Sequence, residues 1–437
     1  MNLNHVFIPY YLDSAVDCSY RPRAFEKQDE VHQLATSIRT RFESLPRLSS
    51  KCCIYRIPQT LREANKSAYS PCLISIGPFH HGKKRLQPME DQKLRYLKNF
   101  LRRNDERSLS DYLRFIRDRE KEIREYYVEV INMGSEEFVS MFILMWHFDE
   151  ADETDRIFEK SSLEYVVRHD ILLLENQLPF FVLDGLYDIG FGDDMSSEMT
   201  NFIELCSRVL VGHNHELSTN FDNREFLHLV DFVRAHYLPS SLRDSNIDNT
   251  DYDDYDFDFP PGIEMLYNTG VRFEVDKSSP LLDIEFQNGV LRIPKLDVED
   301  HTECLLLNLS AFEQCHDFFE SYIVDYVVLM DVLITSLKDV DILMSNGIIT
   351  NSLGTSEDLA EIFNTICTGT TYRTKGFYYN NICKELNKHA KMPWNKWRAT
   401  LKNEYFGNPW NIISVIVAVV LLILTVFQTV CTIILMK

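Results

Sequence analysis

The last residues of the chain constrain its fold most strongly. Residues 412–436 form a run of 25 without a charged side chain, and only Lys437 follows. At about 1.5 Å of rise per helical residue, such a run exceeds a bilayer core of roughly 30 Å. The pattern predicts one C-terminal transmembrane helix, from Ile412 to Met436, with the lipid bilayer as a partner. No basic and apolar stretch typical of a signal peptide opens the chain, so insertion after synthesis is expected.

Aromatic and basic residues precede this run, in a predicted juxtamembrane segment over 391–411. Indole rings favour the headgroup region of a bilayer, and basic side chains favour its cytosolic side. The predicted membrane-interface residues are Trp394, Trp397, Trp410, Lys396 and Arg398. The pattern predicts a single-pass protein of the plasma membrane or an endomembrane, with a slight preference for a cytosolic body. A soluble helix that packs its aromatic residues is the alternative.

The rest of the chain has the composition of a folded, acidic body. The whole chain is 45% apolar, and its 66 acidic residues against 45 basic ones give a net charge of −21. Nucleic-acid binding relies on clustered Lys and Arg, so this balance argues against a nucleic-acid partner. Apolar residues recur at three- and four-residue steps, as at Leu94, Leu97 and Leu101, which predicts a mainly α, multi-helix globular body. The almost uniformly apolar stretch 322–334 is too short to span and predicts a buried core helix.

One segment alternates as a strand does. Apolar residues alternate over 282–286 and again over 290–293, and Asn288 with Gly289 between them is typical of a two-residue turn. Pairing across this turn sets Phe286 opposite Leu291, Glu285 opposite Arg292 and Ile284 opposite Ile293. Residues 271–275 alternate likewise. The pattern predicts a small antiparallel β-meander at about 271–293.

An acidic segment over 244–258, which contains seven aspartates, divides the body. An EF-hand loop would need Gly and Glu at fixed positions, and neither possible start of such a loop in this segment has them. The pattern therefore predicts a flexible acidic linker over 244–259. The alternative is that this segment recruits Ca²⁺ or a basic partner weakly. The predicted organisation is a variable segment over 1–50, an N-terminal helical region over 51–243, and a C-terminal part over 260–390.

Several motifs approach known chemistry without completing it. Gly77 to Lys84 nearly matches a phosphate-binding loop, but Lys84 stands where Ser or Thr should hold Mg²⁺. Two ExxH pairs, Glu225 to His228 and Glu313 to His316, have the spacing of di-iron bundles, but composition alone accounts for them. No catalytic, cofactor-binding or metal-binding residue is therefore predicted.

The polar triplet at 175–177 lies inside an apolar stretch. If buried, Glu175 and Asn176 must be hydrogen-bonded, which favours a structural network. An enzyme of unfamiliar type that uses His80, His81, Glu175 and Asn176 is the alternative function.

Glycosylation and cysteine chemistry bear on the compartment. Asn65 and Asn308 stand in sequons and are candidate glycosylation sites, usable only on a lumenal or extracellular body. The ten cysteines include no CxxC pair. A body with this much core does not need a disulfide framework, so reduced thiols are expected.

A series of motifs resembles a known plant family. The chain is similar to the family called domain of unknown function 247 (the UPF0481 type), in one consistent order. The matching segments are Ile54–Pro58, Ser75–Gly82, Leu172–Phe181, Ser279–Pro294, Ala311–Cys315, Gly347–Asn351, Trp394–Ala399 and Tyr405–Trp410. The resemblance implies a largely helical, plant-specific protein with a C-terminal single pass and no established enzymatic activity. Some grass members are encoded at self-incompatibility loci.

The sequence as a whole favours a binding function. It predicts a membrane-anchored plant protein without enzymatic activity, which binds an unknown protein partner through its helical body. Signalling, stress response and self-incompatibility-type recognition are the settings considered, and no cofactor is expected.

Overall fold

The structure is a computed structural model, which describes residues 26–44, 49–103, 108–143, 161–191, 201–211, 224–239, 257–318, 320–392 and 409–435. The chain divides into two compact units, Met1–Ser49 and Ser50–Lys437. In the first unit, helix α1 runs over Glu26–Ser44.

The second unit is mainly helical, as predicted. Its helices before the acidic run are α2 (Gln59–Ala64), α3 (Gln87–Arg103), α4 (Leu109–Glu125), α5 (Ser135–Ile143), α6 (Ser161–Ile171), α7 (Phe180–Phe191), α8 (Phe202–Cys206) and α9 (Leu229–Tyr237). Those after it are α10 (Ile263–Asn268), α11 (Thr302–His316), α12 (Tyr322–Leu333), α13 (Leu337–Ser345), α14 (Ser356–Thr365), α15 (Asn380–Lys391) and α16 (Pro409–Leu435). Short 3₁₀ turns lie at Ser67–Tyr69, Lys84–Leu86 and Leu174–Asn176.

Helices α11 and α12 form the centre of the core. Most side chains of both helices are buried, and the two helices pack against each other. This confirms the buried helix predicted from the uniform apolarity of 322–334. Asp325 is tolerated there because its carboxylate accepts the Tyr378 N–H at 2.7 Å.

The predicted hairpin is present, but the predicted meander is wrong. Strands β2 (Glu285–Gln287) and β3 (Val290–Pro294) pair antiparallel, and their register sets Phe286 opposite Leu291 and Glu285 opposite Arg292, as predicted. Strand β1 (Arg272–Asp276), however, lies on the other edge of β3 and runs parallel to it. Alternation predicts which face of a strand is buried, but it does not specify the neighbour or the direction of the strand.

A second small sheet was not predicted from the sequence. Strand β4 (Leu296–Val298) pairs in parallel with β5 (Ile349–Asn351), placing Leu296 beside Ile349. Three residues are too few for a period to stand out in the sequence. This sheet connects the segment before α11 to the segment between α13 and α14.

The two regions on either side of the acidic run belong to one compact unit. Helix α9 from the first region packs against α11 from the second. Most of the predicted linker, residues 244–256, lies outside the described residues. Its last part is described, and there the Phe257 and Phe259 rings lie 5.3 and 5.7 Å from that of Phe377.

The C-terminal run forms helix α16, but the membrane predictions require correction. In the part of the chain that the structure describes, no helix is both long and apolar enough to cross a membrane. For the described residues, the predicted transmembrane helix over 412–436 and the single-pass membrane localisation are therefore wrong.

Candidate functional site

A pocket of about 290 Å³ lies where the start of α9 meets the end of α11. Five carboxylates line it, and they share it with two arginines, which leaves an excess of three negative charges. We call it the acidic pocket, defined by Glu225, Asp231, Glu313, Asp317, Glu320, Arg224, Arg234 and His316, with Leu227 and Phe312 as apolar lining.

A buried ion pair forms the floor of the acidic pocket. Arg234 donates from Nε to Glu313 Oε1 at 2.7 Å and from Nη2 to the Glu320 carbonyl at 2.8 Å. The other Glu313 oxygen accepts the Val324 N–H at 3.0 Å. Burial raises the pKa of Glu313, whereas Arg234 and the backbone N–H favour its ionised form. The pair joins α9 to α11, and both oxygens of Glu313 are already bonded.

One wall of the acidic pocket is built by the residues that begin α9. The Asp231 carboxylate accepts the Leu227 N–H at 3.1 Å and lies 3.5 Å from Arg224 Nη2. His228 caps the helix, because its Nδ1 accepts the Asp231 N–H at 3.2 Å while Nε2 lies 3.2 Å from the Cys53 carbonyl. Burial lowers the pKa of His228 to about 4. His228 is therefore a neutral structural residue at pH 7.

The mouth of the acidic pocket carries its exposed groups. Glu225, Asp317 and Glu320 are exposed, as are Arg224 and His316. His316 Nδ1 lies 3.0 Å from the Tyr55 hydroxyl, which donates to the Cys52 carbonyl at 2.9 Å. Partial desolvation of the ring by its neighbours lowers the pKa of His316. The mouth therefore presents carboxylates to an incoming group, with a histidine fixed beside them.

The two ExxH pairs meet at this pocket but do not form a di-iron set. Glu313 and His316 share a face of α11, as the spacing predicts. Glu225 precedes α9 and is not on a helix, and His228 is occupied by Cys53 and Asp231. Only three of the four side chains line the pocket. Sequence spacing identified these residues, but not the pocket that they share.

A second polar cluster surrounds the buried Glu175. We call it the Glu175 cluster, consisting of Glu175, Arg56, Arg62, His80 and Lys83. Glu175 Oε1 accepts the Ile57 N–H at 2.8 Å and pairs with Arg62, while Oε2 lies 3.3 Å from His80 Nε2. Burial alone would raise the pKa of Glu175, but His80, the Ile57 N–H and Arg62 hold it at about 2. The carboxylate is therefore ionised and bonded at pH 7.

The two histidines that the enzyme hypothesis would use, His80 and His81, have different environments and different partners. His80 is buried and its Nδ1 lies 2.5 Å from Lys83 Nζ, whereas His81 Nε2 lies 3.4 Å from Glu137. Burial lowers the pKa of both His80 and Lys83. Glu175 is 3% exposed, so within the described part of the chain no open cleft gives a substrate access to it. A general base needs access to a substrate proton, and this geometry gives no support for that role.

Asn176 and Asp170 hold the loop at 72–77. Asn176 accepts the Ile76 and Gly77 N–H groups at 2.7 and 3.2 Å and donates to the Ile74 carbonyl at 3.0 Å. Asp170 accepts three further N–H groups of this loop, at 2.6 to 2.8 Å. The structural network predicted for residues 175–177 is therefore confirmed.

The sequon asparagines occupy different environments. Asn308 is 1% exposed, and its amide donates to the Ala68 and Cys304 carbonyls at 2.8 Å each. A glycan would replace one of the two hydrogens on that nitrogen, so at least one of these bonds would be lost, and the buried side chain leaves the sugar no route to solvent in the folded chain. Asn65 is half-buried and donates to Glu303 at 3.0 Å. Glycosylation at Asn65 stays a prediction.

The predicted membrane-interface residues lie beyond what the structure describes. Trp394, Trp397, Lys396 and Arg398 fall within 393–408, outside the described residues, and the side chain of Trp410 is not described either.

Among the described residues, one group of side chains lies close enough to hold a metal ion. Cys72, His169 and Asp170 each present a ligand atom, and these atoms all lie within 4.8 Å of one another. Sequence reasoning missed this group because 97 positions separate Cys72 from His169 in the chain.

Comparison with known proteins identifies the class to which this chain belongs. A family model, DUF247, described as a plant protein of unknown function, matches residues 54–424. The chain therefore belongs to this plant family, as its motifs predicted.

Two relatives from Arabidopsis thaliana show the same relationship. A UPF0481 protein is 28% identical over 408 residues, which cover 86% of this chain and 85% of that protein. A putative UPF0481 protein is 21% identical over 480 residues, which cover 86% of this chain and 89% of that one. No solved structure matches the chain.

Proposed function

We propose that this protein is a plant interaction component that acts by binding and not by catalysis. We infer that the acidic pocket receives a basic side chain, lysine or arginine, from a partner protein. Recognition in signalling, stress response or self-incompatibility would be served by such binding. The observation that carries the proposal is the excess of carboxylates around one concave site.

The charge of the site favours a cationic group. Five carboxylates face two arginines, and Arg234 is already paired with Glu313. A cation at the mouth would meet the exposed Glu225 and Glu320 first. The net charge of −21 adds long-range attraction for a basic partner and would speed its association.

The size of the pocket favours one side chain over a large cofactor. Its volume of about 290 Å³ is just below the range of roughly 300–1,000 Å³ that encloses small-molecule ligands. Leu227 and Phe312 supply apolar surface for an aliphatic stem, while carboxylates receive its charged end. This combination suits a lysine or arginine.

The environment of the candidate catalytic groups supports binding over chemistry. Glu313 has both oxygens bonded, and Glu175 is buried and ionised with fixed partners. A general acid or base must exchange a proton with a substrate within hydrogen-bond reach. Both carboxylates are instead committed to positions within the fold.

The experiment measures binding to basic peptides and its dependence on the pocket. The full chain is screened against an array of lysine- and arginine-containing peptides and against the same peptides with glutamate at those positions. We expect salt-sensitive binding to the basic set only. Reversing charge at the mouth, with Glu225→Lys and Glu320→Lys together, should weaken that binding by about tenfold or more.

A matched control separates the pocket from the overall charge. Glu361→Lys and Glu385→Lys together change the net charge equally at exposed positions of α14 and α15. The control variant should bind the basic peptides with an affinity within about twofold of that of the wild type. Equal losses in both double variants, or no preference for basic peptides, would refute the proposal.

A further inference from the structure

Three metal-ligating side chains meet near the end of α6, outside both the acidic pocket and the Glu175 cluster. They are the thiol of Cys72, the imidazole of His169 and the carboxylate of Asp170, and their ligand atoms all lie within 4.8 Å of one another. Sulfur, nitrogen and oxygen ligands of these kinds are those that Zn²⁺ accepts in proteins. We propose that Cys72, His169 and Asp170 form a Zn²⁺ site.

The carboxylate of this site is held in place before any ion arrives. Asp170 is fully buried, and its oxygens accept the N–H groups of Cys72, Leu73 and Ile74 at 2.7, 2.6 and 2.8 Å. Asn176 links the same two segments, because it donates to the Ile74 carbonyl at 3.0 Å and to the Asp170 carbonyl at 2.8 Å. Such outer hydrogen bonds orient metal ligands and reduce the ordering needed on binding.

The same bonds bring the cysteine to the carboxylate. The Cys72 N–H that donates to Asp170 belongs to the residue that carries the thiol, so the sulfur is held close to that oxygen. Any residue could supply this backbone donor. Hydrogen bonding of the loop therefore explains Asp170 but gives no reason for a cysteine at 72 or a histidine at 169.

The histidine lies at a distance from which it can share an ion with the carboxylate. Its Nδ1 is 3.0 Å from Asp170 Oδ1. With metal–ligand distances of about 2.0–2.2 Å, tetrahedral coordination separates two such ligands by about 3.4 Å. A shift of a few tenths of an ångström by the half-buried His169 ring lets Zn²⁺ replace the proton between the two atoms.

The remaining coordination position faces solvent. Cys72 is exposed, so water can complete a set of three protein ligands. The thiolate and the carboxylate together neutralise the charge of Zn²⁺. Their attraction for the ion offsets the repulsion between the ion and Arg85, which lies near Cys72. An open set of this kind is typical of sites with an accessible ion, whereas structural zinc sites are closed by four protein ligands. The site therefore suits exchangeable binding.

The test measures zinc stoichiometry and affinity directly. The purified full chain is stripped with a chelator and titrated with Zn²⁺ in competition with a chromogenic zinc indicator. We expect one Zn²⁺ per chain, and we expect Cys72→Ser and His169→Gln each to weaken binding on the order of tenfold or more. Cys52→Ser and His81→Gln are the matched controls, because they remove the same side chains elsewhere, and they should stay within about twofold.

Cobalt provides a readout that is specific for the thiolate. Co²⁺ bound to the wild type and to Cys52→Ser should give a sulfur-to-cobalt charge-transfer absorption, which should be missing in Cys72→Ser. Circular dichroism establishes that the variants keep their helices. Absence of one tightly bound Zn²⁺ in the wild type, or unchanged affinity in both folded Cys72→Ser and His169→Gln, would overturn the proposal.

Discussion

At the scale of single residues, the main feature is a set of buried polar side chains that each hold several backbone groups. Glu175, Asn176 and Asp170 are 3% exposed or less and accept backbone N–H groups of segments about 100 positions away. Leaving such donors unpaired in the core costs about 1–3 kcal/mol each. These residues therefore determine the path of the chain over 57–77.

We expect Glu175→Gln to destabilise the protein by about 3 kcal/mol, because it leaves the Arg62 charge without its partner in a mostly buried position. The free energy of unfolding in urea measures this change. Glu129→Gln is the control, since it removes an exposed partner of Arg56 and should cost less than about 1 kcal/mol. A similar cost for both variants would contradict the structural role of Glu175.

The acid stability of the protein should depend on the same carboxylate. Hydrogen bonds hold the pKa of Glu175 at about 2 in the folded state, against 4.5 as its ordinary value. The resulting stabilisation, about 3 kcal/mol, is fully present above pH 4.5 and is lost as the pH falls towards 2. Urea unfolding at several pH values should show a smaller loss on acidification in Glu175→Gln. An identical pH dependence in both proteins would contradict this assignment.

At the scale of elements, patterns along the chain predicted whether a segment is a helix or a strand better than they predicted how these elements pack. The 3.6-residue period of the helices and the turn at 288–289 are local features, and the structure confirms both. The parallel pairing of β1 with β3 depends on contacts across the fold, which a period of two does not specify. The acidic pocket likewise needs the packing of α9 on α11.

The loop at 72–77 should tolerate no side chain at Gly77. A Cβ built there would lie 2.8 Å from the Gln177 carbonyl oxygen, so backbone would have to move. We expect Gly77→Ala to destabilise by about 1–3 kcal/mol. Gly134→Ala is the matched control, since nothing lies within 4 Å of its Cβ. Equal melting temperatures for the two variants would contradict the close approach.

The pair between α9 and α11 should be costly to break on one side only. Arg234→Met leaves the Glu313 carboxylate buried without its main counter-charge, so we expect a loss of about 3–5 kcal/mol. Arg234→Met with Glu313→Leu replaces both charges by apolar groups and should recover most of that loss. Chemical denaturation of the four members of this cycle measures the coupling. Additive effects would show that the pair does not join the helices energetically.

At the scale of the whole molecule, the two sequence regions on either side of the acidic run share one core. Ala68, in the first region, accepts hydrogen bonds from Cys304 and Asn308 of α11 at 3.0 and 2.8 Å. Leu174 donates its N–H to Asn308 at 2.9 Å. One buried asparagine of the second region thus satisfies backbone groups of the first.

We therefore expect residues 50–239 alone not to fold. Without α11, apolar and polar groups on the first region lose their partners, so the isolated region should lack a cooperative thermal transition. Co-expression with residues 257–437 should restore a complex that melts cooperatively. Circular dichroism and size-exclusion chromatography measure both outcomes. A cooperative transition in the isolated region would show that its core is independent.

The sequence by itself determined the helical class, the hairpin register and the family, because each rests on local periods or on motifs in a fixed order. Only the tertiary structure decided which side chains meet. It placed Glu313 beside Arg234, Glu175 beside Arg62, and Cys72 beside His169, pairs separated by 79, 113 and 97 positions. It also overturned the transmembrane prediction for the described residues. A local sequence pattern indicates which residues are buried and with what period, whereas a site depends on contacts between residues that are far apart in the chain.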